Sequence, residues 1–402
     1  MVAMSSSFSS PSQMEPLLIG SARPDSEKLL GLAHELSEAS AVIESRLHAR
    51  TAQSLSQLVV GMNCYYSNLI EGHPTLPADI ARAMQNHEAK VQRNLKSLSA
   101  AHIEADQWAR SQDLLAVGIL PFVSALHRIF AEHLPVSELT LENGKLMKPG
   151  QFRLAPDEDV IVGLHHAPQA TAVSAFLERF SEVYTHSIHQ ASQGGTPRLH
   201  AIATCFMAHH RFAWIHPFMD GNGRVARILL DATLRSCGVN RTSVWSMSRG
   251  FAKSQAAYKN ALAGADLPRQ GDYDGRGNLS EKKLVDWCFY SMHTAKDQAS
   301  YMGELFGLDT LRKRIDQFFQ VVRLDLKPES ANLLIHAITV GEFDRMEAGR
   351  LTGMPERTAR QVLASLVKEK FLVSDSPKGR VRAGFPHASL EYIFPSLYPL
   401  NS

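Results

Sequence analysis

No run of apolar residues in this chain approaches the roughly 20 needed to span a bilayer, so nothing in it reads as a membrane segment. The opening stretch MVAMSSSFSSPSQ lacks both the basic leader and the apolar core of a signal peptide. Residues 1–24 read instead as a disordered polar tail. Cysteine is scarce. The four present, Cys64, Cys205, Cys237 and Cys288, form no CxxC pair and no dense pattern. That excludes a disulfide scaffold and points to buried, reduced thiols in a cytoplasmic protein. Net charge is scarce too: 42 Lys and Arg stand against 40 Asp and Glu, a formal +2. Bulk charge therefore argues for neither a nucleic acid nor a membrane partner, and any such argument must be local. There is no internal repeat.

What remains has the balance of a folded protein, 44% hydrophobic and 20% charged. A length of 402 residues exceeds one ordinary core and implies two or three domains. Leu29, Leu30, Leu32, Leu36 and Ile43 recur at helical spacing, and a second helical run ends near Gly72, before HPTLP. A further helix carries Leu114, Leu115, Ile119, Phe122, Leu126 and Ile129. Around Lys148 the character changes: KPGQFRL and DVIVGL, separated by APDE, predict a β-hairpin. Helices follow over 171–184 and 199–214, then the loop IHPFMDGNG, then a helix from Arg224 to about Ser236, and more to about Leu324. The last 75 or so residues give a helix, a helix–turn–helix around Met354-Pro355, and two strands about a Ser-Pro-Lys-Gly turn. That is the order of a winged helix.

The chemistry concentrates in His216-Pro217-Phe218-Met219-Asp220-Gly221-Asn222-Gly223-Arg224-Val225-Ala226-Arg227. Gly221 and Gly223 free the backbone to line an anion-binding nest. The loop runs directly into a helix, whose N-terminus favours phosphate. Arg224 and Arg227, three apart, share one helix face and can both reach a polyphosphate. Asp220 is a hard oxygen ligand suited to Mg²⁺. His216 titrates near neutral pH, as a general base should. Singly, Asp-Gly and Asn-Gly are ordinary turn dipeptides and an arginine face is ordinarily solvated. Together they describe a phosphate site of unnamed purpose.

At each of its nine specified positions this string resembles the Fic family signature, HPFx(D/E)GNGRxxR. HHRFAWI and the expected flap GQFRLAPDEDVIVG are similar to the family as well, and the likeness spans roughly residues 30–310. The resemblance implies a mainly α fold: a Fic-type helical bundle with a small β-hairpin flap, plus the C-terminal winged helix. Its expected parts are an N-terminal helical region over 25–110, a catalytic core over 111–315 and the winged helix over 325–402. It implies a protein adenylyltransferase that moves AMP from ATP to a Ser, Thr or Tyr hydroxyl of a target protein or of itself. His216 would be the base, Phe218 the anchor of the loop and Asp220 the holder of Mg²⁺. Asn222 and the backbone of Gly221 and Gly223 would bind phosphates, Arg224 and Arg227 the ATP phosphates, and Tyr258, with Leu262, the adenine pocket.

Ser67-Asn68-Leu69-Ile70-Glu71-Gly72, read alone, is a helix end with a glycine cap. It also resembles the family's (S/T)xxxE(G/N) inhibitory motif, which implies that Glu71, with Ser67 and Gly72, occupies Arg227 and keeps the resting protein off. In some relatives the same glutamate supports AMP removal, and another phosphate-containing donor is a further alternative. His165-His166 and His209-His210 lack zinc-site spacing and read as surface or core histidines. The rival function is a DNA-binding regulator with a nucleotide-sensing core. Arg357, Thr358, Arg360 and Gln361 would face DNA, with Lys378, Arg380 and Arg382 on the wing. From Glu342 to Gly384 nine Lys/Arg face six Asp/Glu, mild for that role. A homodimer is left open.

Overall fold

Helix-forming runs broken by glycine, proline and polar clusters build nearly all of this chain. A computed structural model describes residues 8–73, 75–88, 98–132, 134, 136–141, 144–163 and 165–398. They divide into two units that do not follow chain order. One comprises 1–38, 63–241 and 246–298; the other comprises 39–62, 242–245 and 299–402. The first helices are shared out between the units.

Those helices are α1 (Ser26–Arg46) and α2 (Ala49–Ile70). In the first unit follow α3 (Pro77–Glu88), α4 (Leu98–Ser111), α5 (Leu114–Val117), α6 (Ile119–Ala131) and α7 (Val136–Leu139). The single helix expected from Leu114 to Ile129 breaks at Gly118, whose φ of 85° suits glycine. Then come α8 (Val173–His189), α9 (Gly195–Ile215), α10 (Asn222–Ser236), α11 (Met247–Lys253) and α12 (Gln255–Ala265), and then α13 (Glu281–Leu305), whose residues up to Gln298 belong to this unit. From Ala201 to Phe212 every residue of α9 is buried. A helix buried on all sides must sit at the centre, and α8 and α10 pack against it.

The flap is a two-stranded antiparallel hairpin, β1 (Ile161–Val162) on β2 (His165–His166), with Val162 opposite His165. The expected first arm, KPGQFRL, is not a strand. Its donors are spent elsewhere: Arg153 N–H on Pro217 O, and the N–H groups of Leu154 and Ala155 on Glu158 Oε2. A ladder has none left from these residues.

The disorder expected over 1–24 also fails from Phe8 onward. Met14 and Leu17 are buried. Arg211 donates from Nη2 to Pro16 O at 2.8 Å, and the Tyr184 hydroxyl donates to Leu17 O at 2.7 Å. Phe8 lies 4.8 Å from Trp214. Apolar side chains spaced among serines and prolines carry no periodicity, so their burial leaves no pattern to read. Residues 1–7 lie outside the described residues.

The second unit contains α14 (Leu308–Gln317), α15 (Ser330–Val340), β3 (Glu342–Phe343), α16 (Ala348–Thr352), α17 (Glu356–Lys368), β4 (Leu372–Val373), β5 (Val381–Ala383) and α18 (Leu390–Ile393). The three strands form an antiparallel sheet in the order β3-β5-β4. The start of α2 joins this unit because Thr51 Oγ donates to Ile338 O at 2.6 Å and Ser54 Oγ to Ala383 O at 2.8 Å. Among the described residues no helix is long and apolar enough to cross a membrane.

Truncating residues 1–24 removes two buried apolar side chains, roughly 3 kcal/mol or more, and strands the Tyr184 and Arg211 donors. The melting temperature is expected to fall by roughly 5 °C or more. A truncated chain that melts with the full one would show this segment contributes nothing.

Candidate active site

The end of α9 sets the site. A helix C-terminus leaves its last carbonyls without intrahelical partners. Here His216 follows α9 in the left-handed region, at φ 50°. It turns the chain sharply, so the carbonyls that follow point away from any regular ladder. Side chains take them up one after another. Ala213 O accepts from His216 Nδ1 at 3.3 Å, and Trp214 O from His165 Nε2 at 2.8 Å. Ile215 O and His216 O accept from Arg153 Nη2 and Nε at 2.9 and 2.7 Å. Pro217 O takes the Arg153 N–H at 2.9 Å. Because His216 donates from Nδ1, its Nε2 carries the lone pair. Burial pushes the imidazole down to about 4, and His165 and Arg153 add to the effect. His216 is thus neutral at pH 7, a stronger depression than the near-neutral titration expected of it.

Beyond the turn, Asn222 braces the loop. Its Oδ1 accepts from Phe218 N–H and its Nδ2 donates to Phe218 O, both at 2.8 Å. Both ends of the Asn222 side chain thus bond within the loop. Phe218 is fully buried and stacks on His127, with ring centroids 3.9 Å apart and planes 2° from parallel. The Gly150 N–H donates to His127 Nδ1, so His127 Nε2 carries the proton and donates to Asp220 O at 3.2 Å. Gly221 precedes α10 at φ 78°, and its N–H donates to Asp220 Oδ1 at 2.5 Å. The exposed Asp220 carboxylate lies 3.9 Å from Arg224 Nη2. Arg224 is buried over the Phe130 ring, and its Nε and Nη1 have no acceptor among the described residues.

Arg227, fully buried, is held by α2. Ser67 Oγ accepts from its Nε and Nη2 at 3.1 and 2.9 Å, and Ser67 O accepts from Nη2 at 3.1 Å. Glu71 Oε1 accepts from Nη2 at 2.6 Å. Burial alone would raise the Glu71 carboxyl, but the Arg227 charge and hydrogen bond outweigh it and keep the group below its ordinary value. Gly72, at φ 81°, lets the chain turn off α2 right after Glu71. Gly223 is a glycine for space: a Cβ there would lie 2.2 Å from Glu71 Oε1. The Glu71 carboxylate therefore rests on the first turn of α10, where the helix dipole favours an anion.

Tyr258 is buried against Phe251, 4.2 Å between ring centroids, with its hydroxyl hydrogen-bonded to Arg227. His209 Nδ1 donates to Ala226 O, so His209 Nε2 accepts from the Tyr258 hydroxyl at 3.1 Å. Tyr258 thus supports the arginine from behind. Leu262 offers its carbonyl to His210 Nε2. His209 and His210 are core residues, and His165 pairs with Asp266 at 3.3 Å. Arg153, His127, the His165–Asp266 pair and the support given by His209 have no counterpart among the residues singled out from the sequence. A strand reading of Phe152-Arg153-Leu154 turns the arginine outward; here Arg153 is buried and Leu154 exposed. That inversion leaves no local signal.

Comparison with known proteins falls on this same region. Residues 121–234 match the model of the Fic/DOC family. Over 89 residues the chain is 35% identical to Protein adenylyltransferase Fic of Drosophila virilis and 34% identical to that of Drosophila ananassae. Each match covers 22% of this chain and 16% of the relative, so it spans about one sixth of those proteins. In fold the chain is similar to a Fic-domain-containing signaling protein from Bacteroides thetaiotaomicron. The TM-score is 0.50 at 16% identity, covering 67% of this chain and 96% of that one.

Burial pushes three enclosed histidines down: His102 to about 3, His127 to about 4 and His209 to about 3. In the unfolded chain each binds a proton near pH 6.5. Their stabilising contribution is complete above that pH and is lost as pH falls toward the folded values. Each group therefore lowers stability progressively as pH falls below 6.5. Thermal melts are expected to drop markedly from pH 7 to 5.5, less so in His102→Gln. Melts that do not move over that range would contradict the neutral buried state.

Proposed function

We propose that this chain, through the Fic/DOC-family domain at residues 121–234, transfers AMP from ATP to a hydroxyl side chain of a target protein or of itself, and that Glu71 holds it off. The observation that carries the reading is one anion-binding corner with a carboxylate already in it. The open end of α10, Arg224 with two donors to spare, and Arg227 converge there, and Glu71 lies across Gly223 onto Arg227.

In this reading the triphosphate lies along the start of α10, its charge met by Arg224, Arg227 and the N–H groups of Gly221 and Gly223. His216 Nε2 accepts the proton of the attacking hydroxyl. The hydroxyl oxygen forms a bond to the α-phosphorus, the bond from that phosphorus to the bridging oxygen breaks, and pyrophosphate leaves with its electron pair. Mg²⁺ would neutralise phosphate charge. Among the described residues no cluster of three His, Cys, Asp or Glu is placed for a metal; with Glu71 on Arg227, the carboxylate left beside Arg224 is that of Asp220. One exposed carboxylate beside substrate phosphates fits Mg²⁺, which is held mainly by phosphate and water in such sites. Glu71 on Arg227 leaves no room for the γ-phosphate to reach that guanidinium, so ATP takes an unproductive pose. AMP removal, or another phosphate-containing donor, would use the same corner.

The second unit supports a winged helix: α15, α16 and α17 in order, then the β4–β5 wing on a three-stranded sheet. Its basic face is largely paired within itself. Arg360 bonds Glu356 at 2.9 Å, Arg380 bonds Glu342 at 3.3 Å and Arg382 bonds Asp375 at 2.6 Å. That self-neutralisation favours protein contact, with a second copy of the chain among the candidates, over DNA.

Two experiments test these readings. With labelled ATP and Mg²⁺, the Glu71→Gly protein is expected to transfer AMP, and adding His216→Ala is expected to cost about 10²–10⁴-fold in rate while ATP still binds. Near-full transfer without His216 would remove it as the base. Mobility shifts on random DNA at low salt are expected to show no complex; a salt-sensitive shift would restore the DNA reading.

A further inference from the structure

His216 stands at a sharp left-handed turn, its ring hydrogen-bonded to Ala213 O. The residues that hold this turn come from the segment between α7 and α8 that ends in the β1–β2 hairpin. Arg153 spans three successive carbonyls, those of Ile215, His216 and Pro217, with two side-chain nitrogens and its own N–H. His165 takes the fourth, Trp214 O, and turns its other nitrogen to Asp266 at 3.3 Å. A carbonyl and a carboxylate both accept, so His165 donates from both ring nitrogens and is an imidazolium. Burial opposes that charge, but the hydrogen bond and charge of Asp266 prevail and its proton is held above the ordinary range. Asp266 is fixed in turn by His210 Nε2 at 3.0 Å. Two cations therefore close the negative end of α9, where a helix favours them.

We infer that Arg153 and His165 are positioning residues for His216: by capping the carbonyls of residues 214–217 they hold the base in its turn and tie it to the flap hairpin. Neither touches the phosphate corner. This rests on the reading of the loop as an AMP-transfer site. Its consequences separate it from mere stabilisation. The groups that face the His216 ring electrostatically are Arg153 and His165 from the flap side, Asp220 on the loop and Glu71 at the end of α2. Removing either flap cation leaves the others in place and lets the imidazole accept a proton more readily. Losing the caps lets the ring leave its attacking geometry without altering the arginines that hold ATP.

The test uses the full chain with Glu71→Gly as parent, and adds Arg153→Met, Arg153→Lys or His165→Gln. AMP incorporation, ATP affinity by calorimetry and the NMR titration of the His216 ring are read in each. Arg153→Met is expected to lower the rate about 10–100-fold. ATP affinity should stay within roughly threefold. Arg153→Lys, which can serve one carbonyl at a time, is expected to recover part of the loss. In both Arg153→Met and His165→Gln the His216 midpoint should move up from about 4. An unchanged rate, a parallel loss of ATP affinity, or an unmoved His216 midpoint would overturn the proposal. Should Arg153→Met fail to fold, His165→Gln decides on the same readouts. A parent that transfers no AMP would sink the proposed function, while the His216 titration would still decide the clamp.

Discussion

A charged guanidinium enclosed by protein is the constraint around which this site is arranged. Arg227 is fully buried, and five N–H donors without water must find acceptors or leave an uncompensated charge. Ser67 and Glu71 supply them from α2, and the Tyr258 hydroxyl, itself oriented by His209, supplies another from α12. The same requirement explains Gly223, since any side chain there would expel the Glu71 carboxylate. An arginine satisfied by a carboxylate is one that a phosphate could satisfy as well, with similar oxygen geometry and more charge. In the proposed reading this gives the site two stable occupancies, one resting and one productive.

The loop between α9 and α10 joins two helix ends of opposite sign, and the residues around it respect that polarity. At the negative end of α9 stand Arg153 and His165; at the positive end of α10 stands the Glu71 carboxylate. Between them the loop is braced from within by Asn222 and from below by Phe218 on His127. The flap and the end of α2 thus bear on opposite ends of one short loop. In the proposed reading, flap contacts set the base, and Glu71 sets whether the phosphate corner is open.

Much of this was legible because it is local. His216 to Arg227 fall within one short stretch, so their residue types together read as an anion site in the sequence. The long helices were legible from apolar spacing, and the terminal helices and short strands from order. What could not be read depends on pairing across the chain. Arg153, His127 and His165 act on backbone carbonyls, and a carbonyl is the same at every position, so nothing in the sequence marks which one is left over at α9. Phe8 to Leu17 dock through isolated contacts without period. Tyr258 lies on a helix near the site, but which neighbour its hydroxyl meets follows only from folding. The allotment of residues 39–62 to the second unit rests on Thr51 and Ser54 reaching carbonyls of Ile338 and Ala383, again invisible in composition.

The central claim is that Glu71 on Arg227 is what keeps an otherwise complete AMP-transfer site silent. The most direct test is intact mass measurement of the natural chain and of Glu71→Gly, each incubated with ATP and Mg²⁺. The account predicts that Glu71→Gly gains the mass of one or more AMP units while the natural chain stays largely unmodified. Equal modification of the two would contradict the inhibitory role of Glu71, and a gain corresponding to any other group would contradict AMP as the moiety transferred.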